Sequence, residues 1–414
     1  MTSTYRVVAI PGDGIGPEVI GAGRRVLDAV GAGMGFAFDW REQVVGGRAI
    51  DDHGLPITDL DLAACAEADA IYLGAIGGPK WDDPNAAVRP EQALFALRGG
   101  LGLYANLRPI TVEPALVAAS PLRPTLLRGV DLLIVRELTS GLYFGRPSEE
   151  RATADGRAAV DTLAYTEAEI RRVVRLAYGL AQRRRGRLTS VDKANVLATS
   201  RLWRKVVDEL RSEFPTVVVE HRLVDSAAML LIQHPAAFDV IVTENLFGDI
   251  LSDEASVLAG SLGMLPSASI GERRTAHGFF GLYEPIHGSA PDIAGQDRAN
   301  PIGTILSGAM MLHWSFGRTD AADVIENAVR AALHDGWRTP DLMPAGEIEA
   351  PARPAEDSAT PAGAIAKRGS GTGKGNAKPA SAAAKPAAKL AGTTAFADAV
   401  IAHLPQQAGS GAAS

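Results

Sequence analysis

The sequence predicts an α/β fold with substantial parallel pairing, and three observations carry the prediction. Short β-branched runs alternate with segments of helical period, as βα units do. Hydrophobic residues are 46% of the 414 and charged residues 21%, enough for a sizeable core under an ordinary surface. No self-similarity of solenoid period interrupts the alternation. Length alone suggests two to three domains.

The first unit is the run YRVVAI at residues 5–10, a buried strand, followed at once by PGDGIGPEV. A glycine turn there leads into a helix that starts near Pro17, where a missing N–H is tolerated. Val19, Val26, Leu27 and Val30 fall on one face of that helix. DAIYL at 69–73 is the next buried strand, and it ends in the loop GAIGGPKWDDP. A helix is expected over 91–98, a strand over 130–135 and an amphipathic helix over 167–184. Strands are expected over 188–192, 217–220 and 239–243.

From Pro344 to about Leu390 the composition turns to Ala, Pro, Gly, Lys and Ser. Residues 351–390 hold seven basic and two acidic residues and almost nothing large and apolar. Such a stretch cannot offset its chain entropy, so 344–390 is expected to be a disordered insert. Phe396, Val400 and Leu404 then recur four apart and predict a last helix over 393–404, with a hydroxyl of Thr393 or Thr394 as its cap.

Composition also excludes functions. Cys65 is the single cysteine, so neither an internal disulfide nor a thiolate metal site is available. In LAACA it reads as a small core residue. The balance 41 − 48 = −7 does not suggest a nucleic-acid binder. The N-terminus lacks the basic and apolar regions of a signal peptide, and no run approaches the ~18 apolar residues of a spanning helix. A cytoplasmic protein without membrane contact is expected.

Gly12, Gly14 and Gly16 follow a strand, but Pro17 leaves a G-x-G-x-G pattern instead of G-x-G-x-x-G. They read as a tight turn, not a dinucleotide phosphate loop. Arg98, Arg108 and Arg136 stand at element ends in ALFALR, ANLRP and IVREL. Each alone reads as a surface or salt-bridge residue; three such planar forks together suit a dicarboxylate. Asp249 and Asp253 sit one helical turn apart, where like charges need compensation. A divalent cation would supply it; a helix N-terminus facing acidic residues is the plainer alternative. Lys193 is either a surface lysine or, if buried near a cation, a base.

PGDGIGPEV, GGPKWD, ANLRP, VRELTSGLYFG, VDKANVL, NLFGDILSDEAS and EPIHGSAPDIAG occur in this order. Together they resemble the isocitrate/isopropylmalate dehydrogenase family, from about Arg6 to Pro340 and again over 391–404. The resemblance implies a two-domain, non-Rossmann fold. One domain would comprise 1–103, 260–343 and 391–404, and the other 104–259, with an arm near 141–165 pairing across a homodimer. It implies NAD-dependent oxidative decarboxylation of 3-isopropylmalate in leucine biosynthesis. A sister activity on homoisocitrate, tartrate or D-malate is the alternative.

By the same resemblance, Arg98, Arg108 and Arg136 clamp the substrate carboxylates, and Tyr143 helps protonate the enol. Lys193, the base, and Asp225 enter from the partner subunit. Asp225, Asp249 and Asp253 hold Mg²⁺ or Mn²⁺. Glu91, Leu94 and Phe95, with Val196 of the partner subunit, form an apolar slot for the substrate's branch. Glu284, His287, Gly288, Ser289, Ala290, Asp292, Ile293 and Asn300 bind the cofactor. Asp292 would accept from the ribose hydroxyls and repel a 2′-phosphate, favouring NAD over NADP. Gly99 departs from a position that is often Lys in the subfamily. The insert departs more, as a solvated tether, and the last helix is still expected to dock on the first domain.

Overall fold

The computed structural model describes residues 3–83, 86–343 and 387–405. The chain opens with β1 (Ser3–Gly12), α1 (Gly16–Met34), β2 (Phe36–Glu42), α2 (Gly47–His53), α3 (Asp59–Glu67) and β3 (Ala70–Ala75). It continues through α4 (Glu91–Gly100), β4 (Ala105–Thr111), α5 (Pro124–Leu127), β5 (Asp131–Glu137), β6 (Ser148–Thr153) and β7 (Gly156–Asp161). Next come α6 (Glu167–Arg183), β8 (Arg187–Asp192), α7 (Ala198–Leu210), β9 (Val218–Leu223), α8 (Val224–Gln233), β10 (Val240–Thr243) and α9 (Asn245–Ser256). The last elements are β11 (Pro266–Arg274), β12 (Phe279–Pro285), α10 (Ile302–Phe316), α11 (Thr319–His334), β13 (Trp337–Arg338), β14 (Lys389–Leu390) and α12 (Thr393–Ala402).

Ten strands form one sheet in the order β2-β1-β3-β12-β11-β4-β5-β10-β8-β9. Strands from residues 3–75 and 266–285 fill one half, and strands from 105–243 fill the other. The halves meet at β11 and β4, which pair antiparallel over only Ala268↔Leu107, Ser269↔Asn106 and Ile270↔Ala105. Within the second half, β5, β10, β8 and β9 run parallel, so their carboxyl ends open on the same edge. That edge is where ligands bind in open α/β sheets. β6 and β7 form a separate antiparallel hairpin whose residues are mostly exposed, at the place expected for the arm.

The glycine turn is a packing device. Gly12 and Gly14 have φ of 72° and 57°, and a Cβ on Gly14 would lie 2.0 Å from the Ser289 carbonyl oxygen. The Ile15 N–H donates to that same oxygen at 2.8 Å. The turn thus seats the 284–294 loop. Buried Asp13, inside it, accepts from the N–H groups of Gly47, Arg48 and Gly77 and ties two further loops to the same point.

Helix α1 starts at Gly16, beside the expected start near Pro17, and runs past Val30 to Met34, where Gly35 (φ 77°) supplies the left-handed cap that ends it. α12 docks on the first half as expected: Phe396, Ala397 and Val400 are buried, and Arg25 pairs with Asp398. The expected hydroxyl cap is absent. Gly392 is the N-cap residue with no side-chain bond, and the Thr393 hydroxyl donates instead to the Ala299 carbonyl at 2.7 Å. The hydroxyl anchors the helix to the body of the protein instead of closing its own first turn. Of the expected disordered insert, 344–386 lies outside the described residues. The expectation fails for its end: Lys389–Leu390 pairs parallel with Trp337–Arg338, where backbone partners override a composition-based reading. Cys65 is a buried core residue.

Candidate active site

Register brings the substrate-side residues together. Asn106 pairs with Arg136 and Arg108 with Ile134, so Asn106, Arg108 and Arg136 point to one face of the sheet. Helix α9 lies over that face. The Arg108 Nε donates to Asn106 Oδ1 at 2.6 Å, and its Nη1 donates to Ser252 Oγ at 2.5 Å and to Asp253 Oδ1 at 3.4 Å. Arg136 donates from Nε and Nη2 to Asn245 Oδ1 at 3.0 and 2.8 Å, and from Nη1 to Asp249 Oδ1. Arg98, in the last turn of α4, donates to Glu284 at 2.8 Å, and its Nε is buried with no partner.

Arg108 and Arg136 are almost fully buried, at 8% and 3% side-chain exposure. Burial lowers both pKa values, Arg108 to about 10 with Arg136 as the next cause, and both remain cationic at neutral pH. Burial alone would raise Asp249, but Arg136 and Arg108 outweigh it and hold its carboxyl below the usual range. Asp253 is pushed up, by burial first and with the neighbouring Asp249 charge also raising it. Tyr143 donates to Asp249 Oδ2 at 2.9 Å. Burial, then Asp249, raises its pKa to about 12, so at neutral pH it is a phenol with a proton to give. Three guanidinium groups and three carboxylates, Glu284, Asp249 and Asp253, thus share this end of the sheet.

Asp249 and Asp253 stand as expected, one turn apart on α9, and offer hard oxygen donors suited to Mg²⁺ or Mn²⁺. Among the described residues, no three His, Cys, Asp or Glu side chains converge into a metal site. Asp225 is elsewhere. It is the second residue of α8, after edge strand β9, and accepts from Lys193 Nζ at 2.5 Å. That bond, first among its causes, lowers the Asp225 pKa. Lys193 follows β8, and its backbone N–H is fixed by Ser200 Oγ at 3.0 Å. The Lys193 ammonium and Asp225 carboxylate thus pair with each other, and Val196 is exposed.

On α4, Phe95 meets the ring of Phe144 edge-on at 5.4 Å, beside the turn that carries Tyr143. Leu94 packs against the core cluster that holds Ala93, Leu97 and Leu103, and Glu91 is exposed near Gly77. On the loop side, a cavity of about 360 Å³ is lined by Ile15, Gly263, His287, Ile293, Arg298, Ala299, Asn300, Pro340 and Asp341. The His287 Nε2 is buried without a partner, and burial lowers its pKa, so the ring is neutral at neutral pH. A slot with apolar walls at Ile15, Ile293, Ala299 and Pro340, polar groups at Asn300, Arg298 and Asp341, and one orphaned ring nitrogen is of a kind that fits a planar base such as adenine. Gly288, Ser289, Ala290 and Asp292 belong to the same loop but do not line this cavity. Glu284, expected on the cofactor side, is engaged by Arg98.

Several functional residues escaped the sequence reading. Asn106 stands two residues before Arg108, and strand period alone places both on one face. Asn245 and Ser252 hold the arginines from α9. Asp341 accepts from Asn300, Ser261 and Thr339 and so fixes the cavity wall; nothing local in TPDL signals that.

Three clustered arginines, a carboxylate pair and a tyrosine at the open edge of such a sheet are the setting of a dehydrogenase for acidic substrates, and comparison with known proteins gives that class. The chain belongs to the isocitrate/isopropylmalate dehydrogenase family, whose model matches residues 6–352. It is 56% identical over 342 residues to a 3-isopropylmalate dehydrogenase of Geobacillus kaustophilus, covering 83% of this chain and 91% of that one. It is 57% identical over 338 residues to the enzyme of that name from Anaeromyxobacter dehalogenans, covering 81% and 94%. Among solved structures, an isocitrate dehydrogenase from Methylococcus capsulatus superposes with a TM-score of 0.76 at 32% identity, covering 96% of this chain and 99% of that one.

Proposed function

We propose that this chain oxidises and decarboxylates 3-isopropylmalate with NAD in leucine biosynthesis, as a homodimer in the cytoplasm. The observation that carries the reading is the cluster of Arg98, Arg108 and Arg136 with Asp249 and Tyr143 at the open edge of the sheet. Identity above one half to relatives of that name supports the substrate.

The arginines hold the two carboxylates of the malate skeleton, and their burial makes each charge-assisted bond stronger than at the surface. Phe95 and Leu94 leave an apolar wall for the branch, where an isocitrate carboxylate would go unpaired. Val196, three residues after Lys193, Met229, one turn after Asp225 on α8, and Ile250, on the adjoining α9, are all exposed. Such exposure supports pairing of two copies, each lending its lysine to the other. Lys193 then removes the hydroxyl proton, and Asp225 completes the carboxylate set with Asp249 and Asp253. When bound, NAD accepts the hydride and a divalent cation stabilises the charge released with CO₂. Tyr143 returns a proton to carbon. His287, Ile293 and Asn300 hold the adenine end, and Asp292 selects against a 2′-phosphate.

The test is NADH formation with Mg²⁺, comparing 3-isopropylmalate with isocitrate, D-malate and tartrate, each with NAD and with NADP. Preference for isopropylmalate by at least about tenfold, with NAD, is the expected result. Preference for another of these acids would overturn the roles given to Glu91, Leu94 and Phe95 while keeping the clamp.

A further inference from the structure

A half-buried tyrosine outside the reacting groups touches the supports of two of them. Tyr165 stands at the foot of the β6–β7 hairpin, and its hydroxyl accepts the backbone N–H of Asn245 at 3.0 Å. Asn245 is the first residue of α9 and the residue whose Oδ1 takes two donors from Arg136. Its own amide nitrogen donates to the Ser140 carbonyl at 3.0 Å. The single phenolic proton is within reach of Glu137 Oε2 at 3.2 Å and Glu244 Oε2 at 3.4 Å. Glu137 follows Arg136 on β5, and Glu244 caps α9 through the N–H groups of Leu246 and Phe247.

The turn bearing Tyr143 rests on the same atom. A Cβ on Gly141 would lie 2.5 Å from the Tyr165 hydroxyl, and the Gly141 N–H donates to the Ala164 carbonyl at 3.1 Å. The ring itself is fixed edge-on against Trp203 at 5.9 Å. Both carboxylates near the hydroxyl are buried. A hydroxyl so enclosed, with its acceptor and donor capacities both used, leaves buried groups unsatisfied if it is removed.

We propose that the Tyr165 hydroxyl is a positioning group for substrate binding. It fixes Asn245, and through Asn245 the Arg136 guanidinium, while holding the Gly141–Tyr143 turn against α9. This rests on the reading of the arginine cluster as the substrate clamp. It makes Tyr165 a determinant of substrate affinity, separate from the cofactor cavity, which none of its contacts reaches.

Tyr165→Phe keeps the ring and its contact with Trp203 and removes only the hydroxyl. The expected result is a 3-isopropylmalate KM raised roughly 5- to 100-fold with the NAD KM within about twofold of the unaltered chain. Lower thermal stability with both KM values unchanged would overturn the proposal, because the hydroxyl would then serve the fold alone. An equal rise in both KM values would also overturn it, as a sign of general loosening. Should the Phe variant fail to fold, Glu244→Gln removes one charged acceptor at constant shape, and a selective rise in substrate KM of about two- to threefold is expected; no selective rise overturns the idea. If the unaltered chain does not turn over 3-isopropylmalate, the functional reading fails by itself. Calorimetric binding of D-malate to the unaltered and Tyr165→Phe proteins then decides: weaker binding to the variant supports the proposal, and equal binding overturns it.

Discussion

The cofactor-side cavity and the carboxylate-side cluster differ in how much of each a single chain supplies. The cavity around His287, Ile293 and Asn300 is walled from several segments of one chain, with Asp341 bracing Asn300 and the glycine turn seating the loop. The arginine cluster gathers three arginines, Tyr143 and two aspartates, while Lys193 follows β8, two strands from β5, Asp225 follows β9, and the two pair with each other. Apolar recognition of a planar base needs shape, which one fold can enclose. A chemical step that needs a base and a third carboxylate opposite the clamp needs groups on the facing side. On the proposed reading, the missing side would be supplied by a second copy.

The largest expected effect breaks the clamp. Arg136→Gln leaves Asp249 without its closest cation and should lower kcat/KM for 3-isopropylmalate by roughly 10²- to 10⁴-fold, with the NAD KM little changed. Steady-state kinetics with each substrate varied checks it, and an equal loss on the cofactor side would erase the distinction between the two regions. A smaller effect concerns the first half alone. Phe396→Ala opens a cavity between α12 and the body and should destabilise the protein by about 3–5 kcal/mol, read by denaturant unfolding. Unchanged stability would mean that the last helix, beyond the insert, contributes nothing to the cofactor-side half.

The smallest effect is a pH dependence in the same half. Asp69 accepts from the Arg6 backbone and guanidinium. Burial raises its pKa, but those bonds outweigh burial and leave it lowered. A lowered carboxyl stabilises the fold fully at neutral pH and loses that contribution as pH falls through its folded value. Asp69→Asn should therefore cost about 1 kcal/mol at pH 7, discounted because Arg6 is half exposed, and the difference should close in acid. A difference that persists unchanged in strong acid would assign the effect to packing instead.

Much of the first region was legible in sequence. The β-branched run at 5–10, the G-x-G-x-G turn and the four-residue spacing of Phe396, Val400 and Leu404 are local patterns, and each element formed. Thr393 misled because a hydroxyl at a helix start can serve either its own turn or a neighbour, and Ala299 is 94 residues away. In the second region the motifs named Arg108, Arg136, Asp249 and Tyr143, which lie together, but not the groups that support them. Tyr165, Asn245 and Glu244 come together only when the foot of the hairpin meets α9, and no spacing in sequence encodes that meeting.

The division between a complete cavity and an incomplete clamp is tested most directly by mixing two inactive variants. Lys193→Ala and Arg136→Gln each disable both sites of their own dimer. After unfolding and refolding an equimolar mixture, random pairing makes half the dimers mixed, and each mixed dimer carries one site with neither substitution. The account predicts that about a quarter of the unaltered activity returns. A mixture as inactive as its two parents, with mixed dimers demonstrated by mass spectrometry, would contradict it and place Lys193 in the site of its own chain.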